Sequence, residues 1–134
     1  MGTDLIISKI DTFHKQADLA FIAKNADHYF SIFDPSFKFT GANAITLNLR
    51  DYKADIQSLF RRAKSIETSH YRIKSSFEDE VFTEKIARKS IIIKPNLLIF
   101  SKKQTIQTEE IYQWKNIGGE WKVLAIEVVL EEKY

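Results

Sequence analysis

The chain has 134 residues, a net charge of +2, 44% hydrophobic and 28% charged residues, and no cysteine. These values describe a single soluble domain over residues 1–134, and they exclude disulfides, thiolate metal sites, iron–sulfur clusters and cysteine nucleophiles. Ten Phe, five Tyr and two Trp supply enough bulky rings for a core or a cavity wall.

The opening MGTDLIISKI carries acid early and lacks the basic and long apolar regions of a leader, which predicts a cytoplasmic protein. No run reaches the ~20 apolar residues of a membrane helix. Ile6, Ile10, Phe13, Ala17 and Phe21 recur at helical spacing, with Thr3 or Asp4 available as N-cap. A second helical stretch runs from about Asp18 to Phe30 and stops before Pro35, which disfavours helix at Asp34. SFKFTG alternates as a short strand and ends at Gly41. Tyr52, Ile56, Leu59, Phe60 and Ala63 form a third helical stripe, started by Asn48 with Asp51 three residues on. Arg61, Arg62 and Lys64 form the densest basic group, and their place on this helix reads as a solvated face rather than a nucleic-acid contact.

From residue 66 the period changes to two. SHYRIKSSF sets Tyr71, Ile73 and Phe77 on one face and His70, Arg72 and Lys74 on the other, as a half-buried strand does. FTEKIARKSIIIK is the next strand, and LLIF is its extension or a flap. TIQTEEIYQWK and EWKVLAIEVVL are two further strands joined by a glycine-containing turn in NIGG. Helices followed by a strand meander give an α+β protein, with three N-terminal helices on one face of a strongly curved, mostly antiparallel sheet.

This element order, with FKFTG after the second helix, RDY opening the third, and Trp114 followed by GGEWKV, resembles the nuclear transport factor 2-like superfamily and its SnoaL-like branch. The resemblance covers about residues 4–130. It implies a cone: a bent sheet around the long first helix, with an apolar cavity at the wide end. The superfamily includes ketosteroid isomerase, cyclases and dehydratases, and also non-catalytic association modules, so fold alone does not choose between them.

The resemblance also implies a polar cavity residue six positions after the final-strand tryptophan, which here is Glu127. By parity Trp121, Val123, Ala125, Glu127 and Val129 share a face. A carboxylate in an apolar cavity would serve as general acid or base; the alternatives are a Glu paired across the sheet or exposed on its open face. Glu110 alternates with Tyr112 and Trp114, and a turn setting Lys115 opposite Glu120 would bring Glu110 and Glu127 together as an acid/base pair. Tyr29, Tyr52 and Tyr71 are candidate hydroxyl donors to a ligand, against the alternative of core rings with surface hydroxyls. The likeness to ketosteroid isomerase puts Asp34 near that enzyme's base, although Asp-Pro is also a turn signal. His14 lies beside the stripe of the first helix and is a candidate cavity lining group.

His14, His28 and His70 are scattered, so no metal site is predicted, and no phosphate loop, dinucleotide fingerprint or nucleophile elbow occurs. The sequence therefore predicts a cofactor-free, cone-shaped binder of a small apolar organic molecule. Its function is an isomerase, cyclase or dehydratase, or alternatively an association module with a vestigial cavity. A homodimer through the sheet face is expected because the last two strands are apolar on both faces.

Overall fold

The computed structural model describes residues 2–96 and 100–134. In chain order they form α1 (Thr3–Ile22), α2 (Ala26–Phe30), β1 (Phe33–Thr40), β2 (Thr46–Asn48), α3 (Leu49–Arg62), β3 (Ser65–Glu78), β4 (Val81–Asn96), β5 (Phe100–Ile117) and β6 (Glu120–Lys133). The six strands make one sheet in the order β2-β1-β6-β5-β4-β3, antiparallel throughout except where β1 runs parallel to β6. The α+β class and the three N-terminal helices agree with the sequence pattern. Most of LLIF lies outside the described residues.

Local chemistry explains the helix boundaries. α1 starts after Gly2 without a side-chain cap, so neither Thr3 nor Asp4 serves as one. It stops where Lys24 takes a left-handed φ of 56°, and the Asn25 side chain then accepts from His28 N to cap the one-turn α2. The stretch from Asp18 to Phe30 is thus divided between the two helices. Asn48 caps α3 by accepting from Asp51 N at 2.9 Å, as its spacing predicts.

Three bulges curve the sheet. In β3 the register with β4 shifts between Arg72 and Lys74, and in β6 the register with β5 shifts twice, which leaves Leu124 and Val129 without partners. Each extra residue bends its strand and exchanges the faces of everything after it. The concave face thus formed packs Phe37, Phe82, Ile86, Trp114 and Val123, all fully buried, against Ile10 of α1. Burial of each of these large side chains contributes roughly 1.5–3 kcal/mol.

Two of the hairpin turns have two residues each. Gly118 and Gly119 join β5 to β6 with positive φ of 62° and 91°, the geometry of a type I′ turn. Asp79 and Glu80 do the same between β3 and β4 at 53° and 66°, without a glycine. The first turn pairs Ile117 with Glu120 and Lys115 with Lys122, rather than Lys115 with Glu120.

Candidate functional site

The helices and the concave sheet enclose a cavity of about 190 Å³. Phe21, Phe33, Phe39, Ile92, Ile106 and Ile126 supply much of its apolar wall. Its polar wall is drawn from five elements: His14 and Asp18 one turn apart on α1, Arg88 on β4, Thr108 and Glu110 on β5, Thr68 on β3, and Glu131 on β6. Tyr29, Tyr52 and Tyr112 also line it. Two other depressions are open grooves on the outer surface.

Arg88 organises this wall. Its Nη1 donates to Asp18 Oδ1 at 2.9 Å and to Thr68 Oγ1 at 3.0 Å, its Nε to Glu110 Oε1 at 3.3 Å, and its Nη2 to the Tyr112 hydroxyl at 3.5 Å. Burial alone would lower its pKa, but Tyr112, Glu110 and Asp18 more than offset this and the guanidinium stays charged. Thr108 Oγ1 donates to the other oxygen of Glu110 at 2.6 Å.

Two imidazole–carboxylate couples meet beside Arg88. His70 Nδ1 and Asp18 Oδ2 lie 2.7 Å apart. Burial would raise the Asp18 pKa, but the bonds from His70 and Arg88 hold it below the ordinary carboxylate value. An ionised Asp18 only accepts, so His70 donates Nδ1–H. The second couple is His14 Nε2 with Glu84 Oε2, at 2.6 Å. Glu84 is 1% exposed, and it also accepts from Trp114 Nε1 at 2.6 Å and Arg72 Nε at 2.9 Å. Its burial would raise the pKa, yet His14, Arg72 and Trp114 together lower it. The His14 and His70 ring centroids are 4.5 Å apart.

Across the cavity the Tyr29 and Tyr52 hydroxyls share one hydrogen bond of 3.0 Å. Desolvation pushes Tyr29 up to about 12 and Tyr52 well above its ordinary value, so both stay neutral phenols. Two O–H groups sharing one bond leave one proton with no acceptor among the described residues.

Of the residues singled out in the sequence, the structure brings His14, Tyr29, Tyr52, Glu110 and Tyr112 together around the cavity. Trp114 stands behind the wall, where it orients Glu84. Three residues fall elsewhere. Glu127 is exposed on the outer face, because the bulge at Leu124 reverses the parity that began at Trp121. It pairs with Ile111, and Glu110 pairs with Val128, so the two acids occupy opposite faces and form no couple. Tyr71 is 67% exposed, since α1 packs against the polar face of β3 and leaves the Tyr71 face outward. Asp34 lies outside the cavity and accepts from Ser36 N and Oγ in a local turn, bonds that lower its pKa.

Sequence reasoning missed Asp18, His70, Glu84 and Arg88. A signal existed: Asp18 follows His14 by four residues on α1, and Glu84 and Arg88 alternate with buried Phe82 and Ile86. No cluster of three or more metal-ligating side chains occurs among the described residues. None of the described helices is long and apolar enough to cross a membrane.

The sequence matches no family model and no curated protein. Solved structures do match. A scytalone dehydratase-like protein from Novosphingobium aromaticivorans superposes with a TM-score of 0.83 at 12% identity, over 98% of this chain and 90% of that one. A nuclear transport factor 2-like superfamily protein from Salmonella enterica gives 0.77 at 8% identity, over 95% and 92%. This chain has the nuclear transport factor 2-like cone fold. Hexachlorocyclohexane dehydrochlorinase type 3 from Novosphingobium barchaimii shares the cone, with a TM-score of 0.75 at 10% identity over 97% and 90%. At such identities the likeness concerns the fold.

Proposed function

We propose that this cone-fold protein is a cofactor-free enzyme of proton transfer, an isomerase, cyclase or dehydratase acting on a small, mainly apolar molecule inside the cone. The observation that carries this reading is the meeting of two imidazole–carboxylate couples, Asp18–His70 and Glu84–His14, each of which presents one member, Asp18 and His14, to the cavity. An apolar cavity of about 150 Å³ accommodates benzene, so the 190 Å³ here suits a substituted six-membered ring. The enzymatic neighbours named above support the class of reaction, and the substrate is argued from this chain's own cavity.

The chemistry follows from the groups present. An unprotonated imidazole nitrogen takes a proton from a carbon beside a carbonyl. The C–H electron pair becomes a C=C bond, and the carbonyl π pair moves to oxygen. The free phenol O–H of the Tyr29–Tyr52 pair stabilises that oxygen, while Asp18 and Glu84 stabilise the imidazolium that forms. Return of the proton to another carbon completes an isomerisation; loss of a β-hydroxyl as water completes a dehydration.

The test is exchange of the α-hydrogens of cyclohexanone for deuterium, followed by proton NMR in D2O. The native chain should accelerate it over buffer, and Asp18→Asn should lower the acceleration by about 10²-fold or more. If cyclohexanone binds but exchanges no faster than in buffer, the catalytic reading fails.

The outer sheet face supports a homodimer. Tyr71 and Leu130, both exposed, flank Ala87 in a groove on that face, which a second copy of the chain would cover. Sedimentation showing only monomer at micromolar concentration would eliminate it. The association-module alternative is weakened by four charged side chains, Asp18, Arg88, Glu110 and Glu131, lining the cavity.

A further inference from the structure

We infer that the cavity is selective by charge: it takes an uncharged molecule bearing an acceptor oxygen and turns away carboxylates, with Glu110 and Asp18 as the specificity-determining residues. This rests on the ligand-binding part of the function proposed above and adds the substrate class.

The argument is an inventory of hydrogen-bonding capacity. Among the described residues, Arg88 is the one cationic side chain of Lys or Arg type lining the cavity. A guanidinium has five N–H donors, and four of the five from Arg88 go to Asp18, Thr68, Glu110 and Tyr112. Its charge is matched by two carboxylates, both of which also line the cavity, and Glu131 adds a third at the wall. An incoming anion would find no free bidentate fork and would lie beside Asp18 and Glu110, where like charge repels it.

Apart from the fifth N–H of Arg88, the unengaged donors are neutral. Tyr112 accepts from Arg88 through its hydroxyl oxygen, and its own proton has no acceptor among the described residues. One phenol of the Tyr29–Tyr52 pair is in the same state. Thr68 accepts from Arg88 and shares one 2.9 Å hydrogen bond with Ser90, so one hydroxyl proton of that pair is free on the cavity wall. Three free O–H groups in an apolar cavity suit a ketone, alcohol or ether oxygen. The same three do not compensate the burial of a full negative charge. Desolvation first, and Glu110 and Asp18 as lesser causes, raise the pKa of Tyr29 and Tyr112 against the opposing effect of Arg88.

The experiment compares cyclohexanone, methyl cyclohexanecarboxylate and cyclohexanecarboxylate by amide NMR titration of the native chain, Glu110→Gln and Asp18→Asn. On the native chain the carboxylate should bind at least tenfold more weakly than its neutral ester. Glu110→Gln removes one negative charge while its amide oxygen can still face Arg88 and its NH2 the Thr108 hydroxyl, so carboxylate binding should strengthen about fivefold or more while the ketone changes less than twofold. Equal binding of ester and carboxylate to the native chain overturns the inference, as does a gap that neither variant narrows. The native comparison decides alone if the variants fail to fold. Ketone binding without deuterium exchange would sink the catalytic proposal and leave charge selectivity standing; failure of all three probes to bind would sink both.

Discussion

Glu84 gives the sharpest test of how this site is held. Its carboxylate is fully enclosed and accepts from His14, Trp114 and Arg72. Glu84→Gln keeps the shape but swaps one acceptor oxygen for an NH2 group. Whichever way the amide turns, a donor then faces a donor: Arg72 Nε in one orientation, Trp114 Nε1 in the other. Breaking a buried ion pair by removing one partner costs about 3–5 kcal/mol. Arg72 keeps Asp11 at 2.6 Å and is a fifth exposed, which relieves part of that cost. The expected loss is therefore about 3 kcal/mol, or a drop of roughly 10 °C in Tm for a chain of this length.

The pH dependence supplies the second half of that test. The folded-state pKa of Glu84 is depressed below its ordinary 4.5. Its contribution is fully present above that value and is lost as pH falls through the folded pKa. Urea unfolding of both proteins from pH 7 down to pH 3 should show the stability gap shrinking below about pH 4.5. A gap under about 1 kcal/mol at pH 7, or one that does not close in acid, refutes the reasoning.

Three further outcomes are expected. Glu127→Gln, on the exposed outer face, should leave cyclohexanone exchange unchanged, measured by the same NMR assay. Glu80 takes a φ of 66° in the β3–β4 turn, and relief of the left-handed conformation by Glu80→Gly should raise urea stability by about 1 kcal/mol. Tyr29 is pushed up to about 12 from 10.0, so its folded form holds a proton that the unfolded form has lost, and stability falls across that window as pH rises. Tyr29→Phe should remove about 1.4 kcal/mol per pH unit of that slope in alkaline unfolding curves, against a cost of about 1 kcal/mol at neutral pH for the lost hydrogen bond.

The sequence by itself determined the order and type of the elements other than the short β2, because those depend on local signals. The stripe from Tyr52 to Ala63, the Asn48 cap and the Gly118–Gly119 turn each act within a few residues, and each has its predicted place. Glu110 was also legible, since it alternates with Tyr112 and Trp114 over an uninterrupted part of β5. What the tertiary structure decided is which face of each long strand looks inward. Leu124 and Val129 slip out of register with β5, and each slip turns every later side chain over, so Glu127 faces out while Glu131 reaches the cavity. On β3, α1 brings Asp11, His14 and Asp18 against the strand, and the polar face of His70 and Arg72 is drawn inward to pair with them and with Glu84. Period-two patterning assumes that the buried face is the apolar one. Here ion pairs between distant elements override that assumption, because the α1 partners that help make burial of those charges tolerable lie more than 50 residues away along the chain.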